Sequence, residues 1–414
     1  MNQILDNVLV AARQLGASDV HFKAGLPPVF RIRGDLRTLK DTPPLAPEVI
    51  GTFALNLMTE KQREHYETSH DVDLSYSTPD GVRYRVNVFR QRGQTGMVLR
   101  IIPPDVPSFE RLNLPGTVQK LAEEERGLIL VTGITGSGKS TTLAAMIDFI
   151  NQSRACHIVT VEDPIEFLHR DRRSVVNQRE VGFDASDFSS ALRAALRQDP
   201  DVILVGEMRD QETVETALHA AETGHLVMST LHTLDAVETV NRIIGMFPPH
   251  HQAQIRISLA AVLKGVISQR LVPRSDGKGM VPAVEVLVTT ARIRELLEDP
   301  KRTREIRDAI ASGRNPYGMM TFDQCLTDLV LRKLVTYETA LASSTTPDDF
   351  ALHFRGVGKA SDHVASAPPM PAPPSSSSAA SDPNRAAPLL PPPQPDPMGP
   401  TEIILELDRA PHRR

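Results

Sequence analysis

Very little in this chain could crosslink it. Its two cysteines, Cys156 and Cys325, lie far apart and form no C-x-x-C pair. That argues against a disulfide framework and a cysteine zinc site, and fits a reducing compartment. No run of eighteen apolar residues occurs, so no segment is expected to span a membrane. The start, Met1-Asn2-Gln3-Ile4-Leu5-Asp6, lacks a basic stretch followed by an apolar core, so no signal peptide is expected. An excess of positive charge is missing too. The net charge is −5, which removes the global basic surface that would suggest nucleic acid. Tryptophan is absent, and that decides nothing. The expectation is a soluble, cytoplasmic protein, and 414 residues suffice for two or three domains.

What is present is organised around one stretch. Leu128-Ile129-Leu130-Val131-Thr132 is an unbroken apolar, β-rich run, as in a buried strand of a parallel sheet. Gly133-Ile134-Thr135-Gly136-Ser137-Gly138-Lys139-Ser140 follows and matches G-x-x-x-x-G-K-[ST], the P-loop. Its glycines let backbone N–H groups wrap phosphate oxygens that a Cβ would hold off. Lys139 would reach the β- and γ-phosphates, and the Ser140 hydroxyl would hold Mg²⁺. Thr141 and Thr142 then open a helix whose N-terminus faces the anion. The motif implies ATP or another nucleoside triphosphate and says little about how its energy is used.

Before this stretch, residues 3–15 carry apolar side chains at helical spacing up to Gly16. A strand is expected over 29–33, a turn at Gly34-Asp35, a helix over 47–66 and strands over 71–76, 82–89 and 97–102. Residues 1–103 thus read as a small α+β domain, and 104–115, with Pro104, Pro107 and Pro115, as a linker. From residue 116 strands alternate with helices: strands at 157–161, 202–205 and 226–230, helices at 188–198, 211–223 and 236–244. That order predicts an α/β unit with a mostly parallel sheet. From Gln252 to about Leu352 the apolar spacing reads as mainly helical. Residues 357–414 are rich in proline, alanine and serine and are expected to be disordered. Within them Thr401 to Leu407 is a short apolar patch, either a tethered docking peptide or a stray cluster.

Three clusters sit at strand ends of the expected sheet: Glu162, Asp163 and Glu166; Glu207; and His225 with His232. A triphosphatase needs carboxylates to position Mg²⁺ and orient the attacking water. Gly206 stands where a strand-end aspartate is usual. Each histidine is either a γ-phosphate sensor or a hydrogen-bonded strand-end residue.

Together these motifs resemble the hexameric secretion-type ATPases of the PilT/PilU group, which power retraction of type IV pili in twitching motility. The resemblance covers most of residues 1–356. Gly133 to Ser140 is similar to the group's Walker A, Ile158 to Phe167 to its Asp box, Val202 to Asp210 to its Walker B with glycine before glutamate, and Gly224 to Thr233 to its His box. The resemblance implies a PAS-like N-terminal domain on a RecA-like ATPase domain at 116–356. It implies Glu166 as general base, Glu207 at the Mg²⁺ shell, and His225 and His232 near the nucleotide. It further implies that a neighbouring subunit presents Arg85 and Arg100 to the ATP site across the interface. The implied partners are a homohexamer, an inner-membrane platform protein at the pilus base and a paralogous retraction ATPase. Arg292 to Asp299 resembles the PilT C-terminal motif, whereas Gly318 to Gln324 and Leu334 to Leu341 look closer to PilU, so the main and the accessory motor both stay open. A pilus-extension or type II secretion ATPase is the alternative, though such chains usually add an N-terminal domain and a four-cysteine metal motif. A nucleic-acid translocase would need a basic, aromatic-interleaved stretch that is not found.

Overall fold

The computed structural model describes residues 3–32, 34–39, 42–103, 105–360 and 407–409. The first sheet holds β1 (Asp19–Phe22), β2 (Val29–Ile32), β3 (Asp35–Leu39), β4 (Asp71–Ser77), β5 (Arg83–Gln91) and β6 (Gln94–Ile101). All neighbours are antiparallel, in the order β3-β2-β1-β6-β5-β4. A further strand, Leu407–Arg409, lies antiparallel on the free edge of β3. Alternation sets the two faces. On β5, Tyr84, Val86 and Val88 point into the core formed with helices Gln3–Gln14 and Pro47–Leu57, so Arg83, Arg85 and Asn87 point out.

The second sheet is built of β7 (Gly127–Thr132), β8 (His157–Glu162), β9 (Val175–Glu180), β10 (Val202–Val205), β11 (Leu226–Leu231), β12 (Leu263–Pro273) and β13 (Met280–Val288). Their order is β13-β12-β7-β11-β10-β8-β9, parallel except for β13. Helices cover both faces, and every residue of β7 is buried. Helix Lys139–Ser153 follows β7 across the loop 133–138.

Four expectations are corrected. The single helix over 47–66 is two, Pro47–Leu57 and Glu60–Ser69. Thr59 accepts from the Gln62 backbone and donates its own N–H to the Gln62 side chain, a capping box that starts the second helix afresh. The helical reading after Gln252 misses β12, which mixes Lys264, Ser268, Gln269 and Arg270 among its apolar residues, and β13, which is almost continuously apolar, so that neither shows a strand's alternation. Residues 104–115 are not a free linker. Phe109–Leu112 forms a helical turn, and Phe109 is buried in the P-loop core beside Phe149. At the far end, helix Pro347–Ala360 passes residue 356, and 407–409 are paired rather than disordered. The apolar patch 401–407 lies outside the described residues except for Leu407.

Candidate active site

The P-loop turns at the mouth of β7. Gly133 has φ 141°, and a Cβ there would meet the Gln269 carbonyl at 2.4 Å and Ser137 Oγ at 2.5 Å, so only glycine fits between β12 and the loop. Lys139 Nζ donates to the carbonyls of Gly133 (2.8 Å) and Ile134 (3.1 Å). Burial pulls its pKa below the usual lysine value, with Glu207 and Glu166 pulling the other way. Thr135, Gly136, Gly138, Ser140 and Thr141 line the same cleft, of about 530 Å³. Gly133 and Ser137 do not line it. Ser137 is buried behind the loop and borders a second cavity of about 230 Å³, together with Arg111, Leu271, Arg274 and Met280.

Asp163, Glu166 and Glu207 face the loop across the cleft, each just beyond the end of a parallel strand. Glu207 accepts from Arg209 (2.8 Å) and stands 3.2 Å from His232 Nε2. Gly206 is tight: a Cβ there would come within 3.2 Å of the Val161 carbonyl, so the crowding of β10 against β8 explains the missing aspartate. Glu162 lines the cleft, but its oxygens accept from Thr160 (2.6 Å), Gln178 (3.1 Å) and the Glu166 N–H (3.4 Å). Burial raises its pKa. Its carboxylate holds the loop that carries Glu166. His169, not foreseen from the sequence, also lines the cleft, and burial lowers its pKa to about 4, so it is neutral.

The opposite wall is the outer face of the first sheet. Register places Arg31, Asp19, Arg100, Arg85 and Ser75 in one row across β2, β1, β6, β5 and β4. Arg100 Nε donates to Asp19 (2.8 Å), and Arg85 lies 3.9 Å from Asp73. Burial raises the Asp19 pKa, but bonds from Arg100 and Ser18 outweigh it and leave the carboxyl below its ordinary value. Arg85 and Arg100 line the P-loop cleft of their own chain. Within one chain the first sheet thus brings both arginines to its own cleft.

His225 is also corrected. It precedes β11, whereas His232 follows it, and β11 runs parallel to β7. Six residues rise about 20 Å at a strand's spacing, so the two histidines occupy opposite ends of the sheet. His225 Nδ1 instead meets the Ala220 carbonyl at 2.9 Å, at the end of helix Gln211–Glu222.

A ligand matched to this cleft must bring several negative charges to the end of β7, and the class so defined is the P-loop nucleoside triphosphatases. The model of the family described as Type II/IV secretion system protein matches residues 1–346. The chain is 44% identical over 346 residues to the type IV pilus retractation ATPase PilT of Pseudomonas aeruginosa, covering 84% of this chain and 99% of that one. It is 40% identical over 354 residues to the type IV pilus ATPase PilU of the same organism, covering 85% and 91%. The crystal structure of the pilus retraction motor PilT with bound ADP superposes with a TM-score of 0.76 at 48% identity, covering 83% of this chain and 97% of that one. The chain belongs to the type II/IV secretion system protein family, in its PilT/PilU branch.

Proposed function

We propose that this chain is the subunit of an ATP-hydrolysing homohexamer that drives type IV pilus retraction, as main or accessory motor. The observation that carries this reading is the joint presence of a P-loop cleft with facing carboxylates and arginines and 44% identity to PilT across 99% of its length. The first sheet is read as a PAS-like domain and residues 116–356 as a RecA-like ATPase domain. No helix among the described residues is long and apolar enough to cross a membrane. In this reading the ring sits on the cytoplasmic side, held at the pilus base by a platform protein of the inner membrane.

Each residue has a role in this reading. Lys139 and the backbone N–H groups of 135–141 hold the triphosphate, and the second cavity takes the adenosine end. Hard oxygen donors at Ser140, Glu207 and Asp163 fit Mg²⁺, which is normally bound by one or two side chains plus substrate phosphates. Bound there, it would neutralise phosphate charge. Glu166 accepts a proton from the attacking water. Arg85 and Arg100 stabilise charge on the departing phosphoryl group. His232, through Glu207, reports on the γ-phosphate end.

Deleting the gene and scoring pili and motility tests the reading. Surplus pili without twitching are expected of a main retraction motor, and weakened retraction of an accessory one. A cell without pili would overturn it in favour of an extension ATPase.

A further inference from the structure

Glu180 ends β9, the outermost strand of the parallel sheet, and is only 6% exposed. A buried carboxylate is costly unless paired and hydrogen-bonded. Two of its partners come from the other sheet: Arg83 donates to Oε2 at 2.5 Å and the Ser75 hydroxyl donates to Oε1. The third is the backbone N–H of Ile165, 3.1 Å from Oε2. Ile165 immediately precedes Glu166. In register with Glu180 on β8 stands Glu162, which takes the N–H of Glu166 itself. The loop carrying Glu166 therefore hangs from two carboxylates, and Glu180 is the one shared with the first sheet.

Arg83 and Arg85 are two residues apart on β5, so they project from the same face. Arg85 reaches the P-loop cleft while Arg83 grips Glu180. Docking of this face thus brings an arginine to the nucleotide side and a cation to Glu180 at once. Withdrawing it would leave Glu180 without its cation, next to the backbone that sets Glu166.

We propose that Glu180 is a positioning residue that couples docking of the first sheet to the placement of Glu166. The loop is then held in hydrolytic geometry only while Arg83 and Ser75 engage Glu180, which is when Arg85 and Arg100 also face the phosphates. This rests on the reading of Glu166 as the base, and it assigns Glu180 no contact with ATP.

The test uses full-length assembled protein, with nucleotide affinity and steady-state hydrolysis measured separately. Glu180→Gln keeps the size of the side chain and removes its charge. It is expected to lower kcat by about 10–10²-fold, the scale of a misplaced catalytic group, with the dissociation constant for a fluorescent ATP analogue unchanged within about threefold. Arg83→Ala approaches the contact from the other sheet and remains informative should the Glu180 variant fail to fold. It is expected to show the same split between kcat and affinity. Adding Glu166→Gln to either variant should cost nothing beyond Glu166→Gln alone, because all act through one group. Parental kcat in folded Arg83→Ala rings overturns the proposal, as does a loss expressed in affinity alone, or effects that multiply when Arg83→Ala and Glu166→Gln are combined. Failure of the underlying reading shows separately: Glu166→Gln alone would then hydrolyse ATP at the parental rate.

Discussion

Arg85 on β5 and Arg100 on β6 stand directly opposite one another in an antiparallel register, and both line the cleft that holds Lys139. Like charges facing across strands destabilise a sheet by about 0.2–1 kcal/mol. Asp19 under Arg100 and Asp73 near Arg85 offset part of that. A triphosphate between the sheets would offset more, which ties the cost of the pair to nucleotide binding.

Both arginines line the cleft of their own chain, and we propose that they act there, so that Arg100→Ala and Glu166→Gln should not complement each other. Each variant alone is expected to lose activity, up to about 10³-fold for the arginine. In rings co-assembled from both, every cleft carries one defect, so hydrolysis should stay at the level of the single variants. Recovery of activity in verified mixed rings would mean that the arginines act between subunits after all.

Lys139→Ala should abolish ATP turnover while leaving the fold intact. The lysine is the cation at the phosphate end of the loop, and its own contacts are to two loop carbonyls. Steady-state hydrolysis beside a thermal melt checks both halves. Near-parental turnover would remove this loop as the ATP site.

Glu285 on β13 is buried, and its Oε1 accepts the N–H of Ala236 at the start of helix Ala236–Gly245. Burial pushes its pKa up to about 7 from an ordinary value of 4.5. A raised folded-state pKa means that its stabilising contribution is complete below the unfolded value and is lost as pH rises through the folded one. Stability should therefore fall between pH 5 and pH 8. Glu285→Gln should be close to neutral at pH 5 and stabilising by about 1–3 kcal/mol at pH 8, read from denaturant midpoints. An equal difference at both values would refute the assignment.

Phe109→Ala should destabilise the P-loop half by about 3–5 kcal/mol, the usual cost of emptying a buried phenylalanine site. Its ring lies 5.7 Å from that of Phe149 within the core. Urea unfolding followed by circular dichroism measures it. A change under about 0.5 kcal/mol, typical of surface substitutions, would show that residues 104–115 are a passive connector.

The cleft was readable in the sequence wherever its chemistry is local. The P-loop, Asp163, Glu166, Glu207 and His232 each follow a strand of unambiguous pattern, and parallel strands deliver their ends to one side. His225 went astray because adjacency to a strand does not say which end it occupies. Arg83, Glu180 and Asp19 left no local signal, since their partners are many residues away and only register brings them together. β13 was hidden by its nearly unbroken apolar run, and β12 by the buried polar residues Ser268 and Gln269, which break the alternation that marks a half-exposed strand. Thr59 and Gln62, three residues apart, carried a local signal that was missed: their capping box splits the expected helix.

The anchoring of Phe109 also has a mechanical side. Ile102 is still bonded to the first sheet, its N–H reaching the Arg83 carbonyl at 2.9 Å, while Val106 already packs on the P-loop core. The span between these two anchors is only three residues, and the first of them, Pro103, has φ fixed by its ring. A tie that short sets how far apart the two sheets can stand, and so keeps the face bearing Arg83, Arg85 and Arg100 within reach of the cleft it lines.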